Sequence, residues 1–164
     1  MNTLDIKPLI DEITYWKGKF NKGNLDDIFY ELSFFKIYIK FEQFLISSFI
    51  HYAIGGASFN NYYPKRKLQF TSFSHLEGIT IYESKKYLVE KPESINQLSK
   101  HIFDGDDNPF ESMFSDARFN DALGPMRILR NFIAHGSQES LQKYCKLCNE
   151  NTFIEPFLKI LIEI

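Results

Sequence analysis

Cysteine is nearly absent. Cys145 and Cys148 are the only two in the chain, which excludes a disulfide-stapled secreted scaffold. Their Cys-x-x-Cys spacing offers no more than half of a structural zinc site, and no second pair stands elsewhere. Two cysteines on one turn of an amphipathic helix read as small core residues. An excess of positive charge is missing as well. The formal net charge is -2, whereas a chain that holds nucleic acid by bulk electrostatics is basic. Any such contact must be local or transient. Long apolar runs are lacking too. The most apolar stretch, residues 34–54, is interrupted by Lys36, Lys40, Glu42, Gln43 and His51, too polar to span a bilayer. The opening Met1-Asn2-Thr3-Leu4-Asp5 has neither the basic nor the apolar region of a signal peptide. No repeat or low-complexity tract occurs. These absences predict one cytoplasmic domain over residues 1–164, with no membrane contact, bound metal or cofactor.

What is present is apolar and aromatic. A hydrophobic fraction of 44% against 24% charged residues is globular rather than disordered, and 17 Phe with 9 Tyr make a core easy to build. The apolar positions recur at helical spacing. Leu4, Leu9, Ile13 and Trp16 mark a first helix, followed by a loop over residues 18–23. A long helix is expected from Asn24, a good N-cap, with the stripe Phe34, Tyr38, Phe41, Leu45, Phe49 and Tyr52 and a stop at Gly55-Gly56. Residues 57–72 read as a loop or short strand pair, broken by Asn60-Asn61, Pro64 and Lys65-Arg66-Lys67. Helices are expected over 74–89 and 92–102, an acidic turn over 104–109, and a short helix from Ser115 to Leu123. Gly124-Pro125 is expected to break the chain and restart a helix to His135, with Gly136 as its stop. Two further amphipathic or apolar segments, 137–148 and 152–164, follow. The fold class is therefore all-α, a bundle of about five or six helices with an irregular insertion near residues 57–73.

The chemistry lies in residues 126–136. Residues four apart on a helix share a face, so Arg127, Asn131 and His135 form a row, with Arg130 one step aside. Ile128, Leu129, Phe132 and Ile133 fill the other faces. Histidine exchanges a proton near neutral pH. Arginine grips phosphate oxygens and stabilises charge that builds in a transition state. Asn131 can orient the imidazole. That set suffices in principle for RNA cleavage without a metal, because the ribose 2′-OH is the substrate's own nucleophile. Arg130 and His135 diverge by about 140° on a regular helix. Either the helix distorts near its end, or two copies of the motif face each other across a twofold axis.

Arg130-Asn131-Phe132-Ile133-Ala134-His135-Gly136 resembles the signature of HEPN domains: Arg, often a polar residue such as Asn, three more residues, then His, late in a helical bundle. The resemblance implies a HEPN-like fold and a metal-independent endoribonuclease that cuts RNA with Arg130 and His135. It also implies a homodimer with the site at its interface, and a role as a toxin or antiphage defence effector restrained by a separate antitoxin or sensor protein. Some members are non-catalytic nucleotide-binding or protein-interaction modules, which is the alternative. One branch carries a tyrosine two residues after the histidine; here that position is Ser137, and the next tyrosine is Tyr144.

Weaker signals lie elsewhere. Lys65, Arg66 and Lys67, with Tyr62, Tyr63 and Phe70 nearby, could hold single-stranded RNA by charge and stacking, although a solvated loop explains them as well. Asp104-Gly105-Asp106-Asp107-Asn108 lacks the spacing and the closing glutamate of a calcium loop. The apolar segment from Phe153 is read as core or as a dimer surface.

Overall fold

A computed structural model describes residues 4–21, 26–76 and 92–149. The helices are α1 (Lys7–Phe20), α2 (Asp27–Ala53), α3 (Pro92–Ile102), α4 (Pro109–Ser115), α5 (Ala117–His135) and α6 (Gln138–Asn149), with a 3-10 turn at Gly105–Asp107. A helical turn also occupies residues 73–76. The described residues contain no strand, only one isolated antiparallel bridge between Arg66 and Phe103. The described part of the chain is all-α, as its periodicity predicts. None of the described helices is long and apolar enough to cross a membrane. Asn24, most of the helix expected over 74–89, and the segment 152–164 lie outside the described residues.

The contacts group into two compact units, one containing Glu42–Asp116 and the other Lys7–Phe41 with the chain from Ala117 onward. In the first, Phe49, Phe103 and Phe110 form a buried aromatic cluster, with ring centroids 5.6–6.3 Å apart. Buried Asn108 caps α4: its Oδ1 accepts from the backbone N–H groups of Phe110 and Glu111, and its Nδ2 donates to Ser99 on α3. These bonds satisfy helix-end donors that burial would otherwise strand. The sequence reading missed α4, although Asn108-Pro109 is an N-cap followed by proline at the first helical position. The insertion is irregular but tied down. Arg66 Nη1 donates to the Ala53 carbonyl at the end of α2, 2.9 Å, Lys65 N–H to Asp107 Oδ2, and the Tyr62 hydroxyl to Asp107 Oδ1.

The second unit positions the motif. The stripe of α2 is buried as expected at Phe34 and Tyr38, and Met126, Leu129 and Ile133 of α5 pack against these two rings. Nearer the start of α5, Phe119 meets Phe41 edge-on, centroids 5.9 Å apart. Ile13 and Trp16 of α1 form a second cluster with Ile37. Two expected boundaries are corrected here. The helix α1 runs on through Gly18 to Phe20, where a loop was expected. The chain does not break at Gly124-Pro125 either: Pro125 lies inside α5. A proline inside a helix costs about 3 kcal/mol. Packing against α2 on both sides of it, at Phe119 and at Met126 and Leu129, opposes that loss. Gly124 also has no Cβ to meet the proline ring.

Candidate functional site

The helix α5 remains regular to its last turn. Gly136 then takes the left-handed conformation (φ +55°) and donates its N–H to the Phe132 carbonyl, 2.9 Å, the terminating glycine that the sequence predicts. Ser137 caps the next helix, its Oγ accepting from the Ser140 N–H and its carbonyl from the Leu141 N–H. With so short a link, α6 folds back on α5, and Phe132 stacks flat on Tyr144, centroids 4.6 Å apart. Burial is the main reason that the Tyr144 phenol is raised above its ordinary value, a hydrogen bond with Cys148 adding to it.

Between the two helices lies a cleft of about 570 Å³. Arg127, Asn131 and His135 line one wall, in the row their spacing predicts, with Ile128 beside them. The Arg127 and Asn131 side chains are half-buried, whereas His135 is exposed at the helix end. Lys143, Lys146 and Glu139 of α6 line the opposite side, with Ser137 and Ser140 at the mouth of α6. Among the described residues that line it, the cleft gathers three cationic side chains and one carboxylate, in a chain whose net charge is -2. Glu139 is paired to Lys143 at 2.6 Å, and that bond holds its carboxyl below the usual glutamate range.

Arg130 is not among the residues lining the cleft. Helix geometry explains why. Relative to Asn131, Arg130 and Phe132 lie about 100° to opposite sides. Phe132 faces α6, so Arg130 falls on the flank turned away from it. Its guanidinium reaches back over the row, Nη1 donating to Asn131 Oδ1 at 2.8 Å. Asn131, expected to orient the imidazole, instead has its oxygen engaged by Arg130. Arg127 and His135, two turns apart, are about 12 Å apart along the axis. The row is a track rather than a single point of convergence.

The sequence reading missed Lys143, Lys146 and Glu139. Their spacing of three and four was visible on a segment already read as amphipathic, but nothing in it named the neighbouring helix. Lys65, Arg66 and Lys67 belong to the other compact unit; Arg66 is committed to the end of α2, and Lys67 Nζ donates to the Lys100 carbonyl at 3.3 Å. The two cysteines, expected in the core, are an exposed Cys145 and a half-buried Cys148, both free thiols. Comparison of the chain with protein-family models, curated proteins and solved structures finds no match.

Proposed function

We propose that this protein is a HEPN-type endoribonuclease whose site is the cleft between α5 and α6, acting as a toxin or antiphage effector. The observation that carries this reading is the placing of Arg127, Asn131 and His135 in one cleft that Lys143 and Lys146 also line. An RNA strand laid along the row would meet a guanidinium at one end and an imidazole at the other. Near His135 the 2′-oxygen attacks the adjacent phosphorus, its proton passing to a base. The 2′-O–P bond forms, the P–O5′ bond breaks, and the departing 5′-oxygen takes a proton. His135 serves one of these transfers, exposed at the helix end where a substrate can reach it. No metal enters this scheme. The products are a 2′,3′-cyclic phosphate and a 5′-hydroxyl.

The pentacoordinate phosphorus needs a cation beside His135. The axial spacing puts Arg127 too far off for that task, and Arg130 sits on the outer flank of the row. A second copy of the motif that brings its own Arg130 beside His135 at the end of the cleft would supply that cation, which makes a twofold dimer the natural form of the enzyme. The alternative, a non-catalytic nucleotide- or protein-binding module, is favoured by one observation: the Arg130–Asn131 hydrogen bond holds the motif arginine within its own helix.

One experiment tests both the chemistry and the dimer. Wild type, Arg130→Ala, His135→Ala and the two variants together are expressed in bacteria, and growth and RNA integrity are scored. Wild type is expected to slow growth and fragment RNA; each variant alone is expected to be silent, and the pair to recover part of the effect. Growth and intact RNA in every culture would sink the nuclease reading. Active wild type without recovery in the pair would sink the shared site.

A further inference from the structure

We propose that Lys143 and Lys146 form a second phosphate-binding wall, which holds the strand beside the reacting phosphate, and that Glu139 acts against them as an internal competitor. The inference rests on the ribonuclease reading and extends it to residues outside the motif.

The register between the helices follows from the Phe132–Tyr144 stack. Because the short link turns α6 back along α5, Lys143, one residue before Tyr144, lies level with the half of the row between Asn131 and His135. Lys146 lies level with the half between Arg127 and Asn131. Both line the same cleft as the row. A strand passing along it would therefore run between cations on two walls. The motif wall alone offers Arg127 and His135 at its two ends, about 12 Å apart. The lysines stand at the intermediate levels, where a phosphate between those ends would otherwise face only Asn131.

Glu139 gives the arrangement its sign. It lies on the same wall, one turn before Lys143, and neutralises that lysine through a 2.6 Å ion pair. An incoming phosphate must displace the carboxylate from Lys143 or share the ammonium with it, and a carboxylate in the cleft repels the strand. Removing the lysines and removing the glutamate should therefore act in opposite directions on binding. A merely structural role for the exposed Glu139–Lys143 pair predicts little effect of either, since such pairs contribute little to stability.

The test uses a single-stranded oligoribonucleotide carrying 2′-O-methyl groups. It cannot supply the attacking hydroxyl, so binding is read without cleavage. Fluorescence anisotropy with the full chain gives Kd as a function of salt for wild type, Lys143→Gln, Lys146→Gln and Glu139→Gln, with thermal melts to show that each folds. Each lysine variant is expected to weaken binding about fivefold to tenfold. Each should also make the slope of log K against log salt shallower by about 0.7, the share of one phosphate contact on a single strand. Glu139→Gln is expected to tighten binding about twofold to fivefold. Unchanged affinity and slope in both lysine variants would overturn the proposal, as would weaker binding in Glu139→Gln. If the lysine variants bind weakly while wild type fails to cut unmodified RNA, the wall stands as a binding site and the ribonuclease reading falls.

Discussion

At the residue scale, two side-chain clasps tie the irregular insertion to its neighbours. Arg66 stands in the most basic run of the chain, yet its guanidinium closes the end of α2 on the Ala53 carbonyl. Tyr62 and Asp107 make a comparable clasp between two loops. The hydroxyl donates to Asp107 Oδ1 at 2.6 Å and to the Asp107 carbonyl at 3.1 Å. Burial, and then the hydrogen bond to Asp107, push the Tyr62 phenol up to about 12 from its ordinary 10.0, while the same bond holds the Asp107 carboxyl low. The linkage has two limbs. The raised phenol adds stability that is complete below pH 10.0 and is lost as pH rises toward about 12. The lowered carboxyl adds stability that is present above the ordinary aspartate range and fades as pH falls through it. Tyr62→Phe keeps the ring and removes the hydroxyl. Thermal melts are therefore expected to show lower stability than wild type at neutral pH, with the difference shrinking above pH 10. A difference that stays constant across that range would contradict the clasp.

At the element scale, glycine position decides sign. Gly18 lies within α1, and a Cβ there meets nothing within 4 Å; Gly136 is equally open but sits at φ +55°. Gly18→Ala gains helix propensity of up to about 1 kcal/mol, whereas Gly136→Ala must hold a left-handed backbone with a Cβ, at about 1 to 2 kcal/mol. Chemical denaturation should place the two variants on opposite sides of wild type, and a shift in the same direction for both would contradict these helix boundaries. The same contrast shows what the sequence made legible. Periodicity located α2 and its buried face, because Phe34, Tyr38, Phe41, Leu45 and Phe49 repeat at steps of three and four residues. It also located the end of α5, because a glycine there has one conformational reason to exist. It misjudged Pro125, since local propensity knows nothing of Phe119 and Leu129 seated on a neighbouring helix. It placed Arg127, Asn131 and His135 in a row correctly. It could not say which flank of that row α6 would cover, because that is fixed by the Phe132–Tyr144 stack, a contact between helices rather than a pattern within one.

At the scale of the whole molecule, an acidic chain places three cations around one cleft among its described residues. Such a distribution suits a protein that meets a polyanion at one place and avoids holding it elsewhere. It also bears on the choice of substrate-binding groups. In the proposed enzyme the motif would supply the imidazole and, through a second copy, the guanidinium, while α6 would supply the lysines that keep the strand in line. This division accounts for an Arg130 that does not line the cleft of its own chain, which a self-sufficient single-chain site would not. The central claim is that this cleft cleaves RNA by attack of the 2′-hydroxyl, with His135 moving a proton. The most direct measurement is mass spectrometry of the ends left on a defined RNA after incubation with purified protein in EDTA, alongside His135→Ala. The account predicts 2′,3′-cyclic phosphate and 5′-hydroxyl ends for wild type and uncut RNA for the variant. Intact RNA with wild type, 5′-phosphate ends, or equal cutting by both proteins would contradict it.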